Sequence, residues 1–246
     1  MSDHVYLSVI IPAYNEAQRL PKTLRRLQEY LAGLSLTYEI LVVMDGCSDN
    51  TLEVVQGMTR DIRNLQIVDR AVNRGKGHTV KEGMLKASGR VRLFTDADNS
   101  TDIAHFEKMI PLFKEGYDLV IASRNSKDAP NADEAVPQAW YKRWTGQLGN
   151  LIVQLFAVPG IWDTQCGFKA FRAEVAVRIF SETKIEGWGF DIEVLALARA
   201  FNYKIGIIPA RWVNDPRSHV RWFDYLRVLG DTLRVRANLR ARKYTF

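Results

Sequence analysis

The chain has 246 residues, of which 47% are hydrophobic and 25% charged, with a formal net charge of +6. These values exclude a disordered chain and leave one large domain, or one domain with an appendage. The charge is uneven: Arg221, Arg227, Arg234, Arg236, Arg240, Arg242 and Lys243 against Asp224 and Asp231 give the last 27 residues a net +5, so the body is nearly neutral. A basic tail behind a neutral body points to an anionic lipid surface or a disordered arm, and away from a nucleic-acid domain, which spreads basic charge over its working face.

In chain order, Leu7–Ala13 is a short apolar run and reads as a buried strand. Glu16–Ala32 carries Leu20, Leu24, Leu27 and Leu31 at helical spacing. Tyr38–Asp45 is a second buried strand, followed by a turn at Gly46–Asn50 and a helix over Thr51–Arg60. Leu65–Asp69 and Val91–Asp96 read as strands, Lys76–Lys86 and Ile103–Glu115 as helices, and Asp118–Ser123 as a further strand. Such alternation predicts an α/β fold, a mainly parallel sheet with helices on both faces, whose ligands bind beyond the carboxyl ends of the strands.

After Asn125 the pattern changes. Ser126–Val136 reads as a polar loop and Pro137–Val158 as a long helix. Val175–Ser181 and Phe190–Phe201 read as helices, Lys204–Val213 as a strand, and the tail from His219 as a helix. The boundary expected between the main domain and the tail is 215/216. Thr145–Trp162 holds no charge but carries Gln147, Gly149, Asn150, Gln154, Pro159 and Gly160, so it reads as a buried or interfacial helix and not as a membrane span. Cys47 and Cys166 have no metal-ligand spacing and form no disulfide framework, and the N-terminus lacks a signal-peptide pattern, so a cytoplasmic protein is expected.

Three strand ends carry candidate chemistry. Asp96-Ala97-Asp98 puts two carboxylates within reach of one cation, and hard divalent ions are often held by one or two carboxylates plus substrate phosphates. Turn aspartates and helix caps have the same appearance, so the pair alone decides nothing. Asp45 ends the neighbouring strand. The run Asn73-Arg74-Gly75-Lys76-Gly77 opens a helix, where glycines permit close backbone approach and a helix N-terminus favours anions. It lacks the full P-loop pattern. Acid for a metal, with metal and lysine for a diphosphate, is what a nucleotide-diphosphate donor requires.

At these residues the chain resembles family 2 glycosyltransferases. Ser8–Glu16 (SVIIPAYNE), Asp45–Thr51 (DGCSDNT), Asn73–Gly77 and Asp96–Asp98 follow that family's order. Asp163–Lys169 (DTQCGFK) and Gly187–Glu193 (GWGFDIE) resemble the dolichyl-phosphate glucosyltransferases and related polyprenyl-phosphate hexosyltransferases. The resemblance implies a GT-A (Rossmann-like) fold, an inverting reaction and a divalent metal, Mg2+ or Mn2+. It assigns Pro12, Tyr14, Glu16 and Asp45 to base and ribose, Lys76 and Arg124 to phosphates, and Asp96 and Asp98 to the metal. Gln165 and Asp191 would line the sugar and acceptor side, and Lys169, Arg217 and Ser218 would join Arg124 at the acceptor phosphate. Where relatives read Gly-Ser-Lys, this chain has Arg217-Ser218-His219, and it lacks the Gln-x-x-Arg-Trp of processive synthases.

The expected reaction moves a hexose, glucose or mannose, from a nucleotide-sugar to a polyprenyl or dolichyl phosphate. An acceptor of this kind is already ionised, whereas a soluble or protein hydroxyl, the alternative acceptor, would need a base, for which Asp191 is the candidate. As an alternative, Asp191 would cap its own helix. The tail helix, with Trp222, Phe223 and Leu226 among arginines, is expected to lie on a membrane as a peripheral anchor at the inner face. Packing on the domain or forming a homodimer is the alternative for it. A non-catalytic anion- or membrane-binding module is the rival from another class, and it leaves the acidic strand ends unexplained.

Overall fold

The structure is a computed structural model that describes residues 4–134, 151–213 and 222–245. Seven strands form one sheet in the order β3-β2-β1-β4-β7-β5-β8. These are β1 (Leu7–Ala13), β2 (Tyr38–Met44), β3 (Leu65–Val68), β4 (Val91–Thr95), β5 (Leu119–Ser123), β7 (Phe168–Arg172) and β8 (Ile205–Pro209). All pairings are parallel except those of β7, which runs antiparallel between β4 and β5. A two-residue β6 (Asp133–Glu134) pairs with β9 (Arg211–Trp212) in a small second sheet.

Side chains alternate across the sheet. Leu7, Val9 and Ile11 of β1 pack under α1 (Leu20–Ala32), α2 (Thr51–Met58) and α4 (Phe106–Lys114), while Ile10 faces the other layer. That second layer is α3 (Lys76–Lys86), α6 (Ala173–Glu182) and α7 (Phe190–Ala200). Because both faces are covered, the strands read as unbroken apolar runs. Each fully buried leucine of α1 contributes about 1.5–3 kcal/mol on area grounds.

Four local differences from the sequence reading have physical causes. Helix α1 starts at Leu20, with Pro21 setting its first turn, because the Glu16 carbonyl instead closes a turn with the N–H groups of Arg19 and Leu20. Strand β7 was not foreseen: Phe168-Lys169-Ala170-Phe171-Arg172 carries two cations, which hide a buried strand from any reading based on apolar runs. The single strand expected over Lys204–Val213 divides at Ala210, after Pro209, and its halves enter different sheets. Two residues of the expected polar loop, Asp133 and Glu134, join β6.

Most of the expected helix Pro137–Val158 lies outside the described residues; its end is helical over 151–156 and is labelled α5. The tail helix α8 (Trp222–Arg240) packs on α7. Val235, Thr232, Asn238 and the following Tyr244 are buried, and Val235 and Tyr244 join the core of the α7 layer. Phe223, Leu226 and Leu233 remain exposed on its outer side together with Arg227, Arg234 and Arg240. No helix among the described residues is long and apolar enough to cross a membrane.

Candidate active site

The sheet order places β1 between β2 and β4, so the connections from β1 to β2 and from β3 to β4 run in opposite directions along the sheet and a crevice opens at the carboxyl ends of these strands. Tyr14, Asp45 and Asp96 each follow one of them. The register of the antiparallel pair completes the edge: Thr95 lies opposite Phe168, and the N–H of Asp96 donates to the Gly167 carbonyl at 3.2 Å. This pairing sets Gly167 against the Asp96 side chain. A Cβ on Gly167 would collide with all three atoms of that carboxylate, standing 2.6 Å from Oδ1.

Lys76, the first residue of α3, reaches Asp96 with Nζ 2.6 Å from Oδ1. Its ammonium also lies 5.1 Å from the centre of the Trp188 ring. Burial alone would lower the Lys76 pKa, but Asp96, Asp191 and Asp98 outweigh it and hold the value above the ordinary range. Asp98 turns its Oδ1 to the N–H of Ser100 at 2.9 Å, and its Oδ2 lies 4.0 Å from Arg19. The loop between the two acids is fixed from below, where Thr23 Oγ1 of α1 donates to the Ala97 carbonyl at 2.6 Å. Asp102 caps the short helix at Ile103–His105, as the sequence allowed, and is also held by Arg26.

Asp45 is 3% exposed. Its Oδ1 accepts from the Arg74 N–H at 2.8 Å and from Arg70 at 2.6 Å, and its Oδ2 accepts from the Gly75 N–H at 2.8 Å. The carboxylate, expected at the base or ribose, also holds the glycine loop that carries Lys76. Glu16 is buried, donates its N–H to Thr51 Oγ1 at 2.8 Å and grips Arg19 with both carboxylate oxygens. Tyr14 stands 41% exposed beside it, and Pro12, within β1, is half-buried. Asn15 ties this loop to the next, its Oδ1 accepting from the Ser48 N–H at 2.8 Å.

On the far side of Lys76, Asp191 is buried at the start of α7 and makes no capping hydrogen bond there, so the capping alternative does not hold. It pairs with Lys169, whose Nζ lies 2.5 Å from Asp191 Oδ1 and 2.7 Å from the Cys166 carbonyl. Lys169, expected at the acceptor phosphate, has a fully enclosed side chain paired with Asp191. Burial raises the Asp191 pKa even though Lys169 and Lys76 oppose it. Gln165 is exposed and donates to the Trp188 carbonyl at 3.3 Å.

Arg124 follows β5. Its N–H and guanidinium both bind Asp163, at 2.7 and 2.8 Å, and the guanidinium lies 5.2 Å from the centre of the Trp212 ring. Burial would raise the Asp163 pKa, but Arg124 prevails and lowers it. Arg217 and Ser218 fall outside the described residues; Val213, shortly before them, hydrogen-bonds the Ser100 carbonyl at 3.0 Å. The structure therefore gathers Asp96, Asp98, Lys76, Asp191 and Lys169 into one cluster, with Asp45 behind it. Sequence reasoning missed Arg19, Trp188 and Gly167. Trp188 and Gly167 stood within motifs already singled out, whereas Arg19 carries no local signal.

The model of glycosyl transferase family 2 matches residues 8–180. The chain is 34% identical over 244 residues to a dolichyl-phosphate beta-glucosyltransferase of Dictyostelium discoideum, covering 95% of this chain and 75% of that one. It is 37% identical over 225 residues to the enzyme of the same name from Drosophila melanogaster, covering 86% and 68%. In fold, it matches glucosyl-3-phosphoglycerate synthase from Mycobacterium tuberculosis, solved with Mn2+, uridine diphosphate and phosphoglyceric acid, with a TM-score of 0.64 at 19% identity over 94% of this chain and 77% of that one. The protein is a glycosyltransferase of the GT-A fold and belongs to family 2. Within that family its relatives are the dolichyl-phosphate beta-glucosyltransferases.

Proposed function

We propose that the chain transfers glucose from a nucleoside-diphosphate sugar to a dolichyl or other polyprenyl phosphate, with inversion and with a divalent metal, at a membrane surface. The observation that carries this reading is the contact of Lys76 with Asp96 at the end of β4, with Asp98 two residues on. The donor set fits a hard cation: two carboxylates on a loop pinned by Thr23, both partly open, and no third acidic or histidine ligand clustered with them among the described residues. Mg2+ and Mn2+ complete such a set with phosphate oxygens and water. A bound cation would neutralise charge growing on the leaving diphosphate.

The remaining roles belong to the chain. An acceptor phosphate oxygen attacks the anomeric carbon, the bond from that carbon to the diphosphate breaks, and the diphosphate keeps the electron pair. Lys76 lies where it would stabilise that leaving charge. The acceptor is ionised beforehand, so no residue has to remove a proton. Asp191, held by Lys169, orders the acceptor side. Asp45 serves the donor indirectly by fixing the loop of Lys76.

In the absence of metal, Lys76 acts as a counter-ion to Asp96. Lys76→Met is therefore expected to bind Mn2+ alone more tightly than the wild type does, while transfer falls by about 100-fold or more because one preorganised cation at the leaving group is lost. Mn2+ titration by electron paramagnetic resonance, beside a transfer assay, checks both halves.

The outer face of α8 supports membrane attachment, with Phe223, Leu226 and Leu233 set among Arg227, Arg234 and Arg240. Each basic residue near an anionic surface adds on the order of 1 kcal/mol, so Arg234→Glu with Arg240→Glu should release the chain from phosphatidylserine vesicles in a cosedimentation assay. The transferase reading is tested by incubating the chain with labelled UDP-glucose, Mn2+ and dolichyl phosphate. Labelled glycolipid is the expected product; transfer to a soluble or protein hydroxyl with no glycolipid would refute the acceptor assignment.

A further inference from the structure

Residues 184–189, between α6 and α7, press on the donor side at several points. The Glu186 carbonyl accepts from the His78 N–H at 3.2 Å. Gly75 and Gly77 approach this strip so closely that a Cβ on them would stand 2.6 Å from the carbonyl oxygens of Glu186 and Ile185 respectively. Trp188 covers Lys76. The strip therefore shapes one wall of the loop that presents Lys76 to Asp96.

The strip is held in turn from the tail. Glu193 of α7 is fully buried, and its carboxylate accepts from the N–H of Lys184 at 2.9 and 3.0 Å and from that of Ile185 at 2.8 Å. The same carboxylate accepts from the Tyr244 hydroxyl at 2.7 Å. Tyr244, which follows α8, is buried, and the Lys184 ammonium lies 5.6 Å from the centre of its ring. A second tie comes from Asp231 of α8. Its side chain lies against the Gly189 backbone, so close that a Cβ on Gly189 would stand 2.6 Å from its Oδ2. Gly189 is the N-cap of α7, where a negative side chain sits favourably in the helix field.

We infer that Asp231 and Tyr244 are positioning residues for the donor site: they seat the strip 184–189, which seats the Gly75–Gly77 loop and Trp188 and so fixes Lys76 opposite Asp96. Both lie beyond residue 180, where the family match ends. The inference rests on the donor-site reading given above. It assigns the inner face of α8 a part in donor binding that is separate from anything its outer face does at a membrane. When the strip is loosened, the donor has to order the loop as it binds, and apparent affinity falls by the fraction of time the loop is already in place.

The test uses the full chain and UDP with Mn2+ as the probe, titrated by calorimetry, with thermal unfolding measured alongside. Asp231→Ala and Tyr244→Phe are each expected to raise the Kd for UDP by about fivefold, since one removes a close packing contact on Gly189 and the other a buried hydrogen bond to Glu193, without a change of fold. Asp231→Asn keeps the size and shape of the side chain against Gly189 and is expected to restore wild-type affinity. Variants that unfold at lower temperature yet bind UDP like the wild type would overturn the inference alone, because a purely structural tail predicts that pattern. A wild-type chain that binds no UDP with Mn2+ would overturn the donor-site reading and this inference with it.

Discussion

Gly167→Ala is expected to lower kcat/KM by about 100-fold or more while the chain stays folded, because misplacing a catalytic group by about 1 Å costs that much. The new methyl group would occupy the place of the Asp96 carboxylate. Asp96 is partly open to solvent, so its side chain is free to rotate aside, and stability changes little. The rotation breaks the 2.6 Å contact with Lys76 and withdraws one of the two carboxylates meant for the cation. Gly57→Ala is the comparison: a Cβ there meets nothing within 4 Å, and α2 should gain about 0.5–1 kcal/mol with activity intact. Steady-state kinetics and thermal melts of the two variants separate damage to the site from damage to the fold.

Lys169→Met is expected to be the most destabilising single change near the site. Lys169 and Asp191 form an ion pair with side chains 0% and 4% exposed. Removing one partner of a buried pair leaves an uncompensated charge and costs about 3–5 kcal/mol. In a chain of this size that is a fall in Tm of roughly 10 °C. Asp191 will escape part of the cost by taking up a proton, in the direction burial already pushes it. The double variant Lys169→Met with Asp191→Leu should recover most of the stability, since an apolar pair of similar volume has no charge to desolvate. Activity should stay low in both, because the ordered carboxylate is gone in both. A double variant no more stable than the single one would mean that Lys169 matters for its packing and not for its charge.

These two positions also mark the limit of what a linear sequence discloses. The strand-to-helix alternation was legible because parallel strands buried on both faces leave unbroken apolar runs, as in β1, β2 and β5. The run Phe168–Arg172 broke that rule. Its Lys169 is neutralised by Asp191, 22 residues away, and its Arg172 donates to the Tyr117 carbonyl, 55 residues away, and neither partner is visible locally. Asp96, Asp98 and Lys76 were recognisable as chemistry-bearing residues at strand ends. Their mutual contact depends on the β1–β4 and β4–β7 pairings, as does the position of Gly167.

Asp45 and Lys169 are recognisable as polar residues in motifs, but their partners are not: the Asp45 carboxylate holds two successive N–H groups of the glycine loop, and Lys169 is enclosed against a carbonyl and the Asp191 carboxylate. The basic character of the tail is plain in the sequence, and its arginines from Arg227 onward lie outward. Its inner face, with Asp231, Val235 and Tyr244, is the part that meets α7, and nothing in its local spacing distinguished it.

The central claim is that Asp96 and Asp98 hold a cation that grips a nucleotide diphosphate. The most direct test is calorimetric titration of UDP into the wild type and into Asp96→Asn, each with and without Mn2+. The account predicts that Mn2+ tightens UDP binding to the wild type by tenfold or more, on the order of the loss of one metal–phosphate contact, and has no such effect on Asp96→Asn. Equal tightening by Mn2+ in both proteins, or none in the wild type, would contradict it.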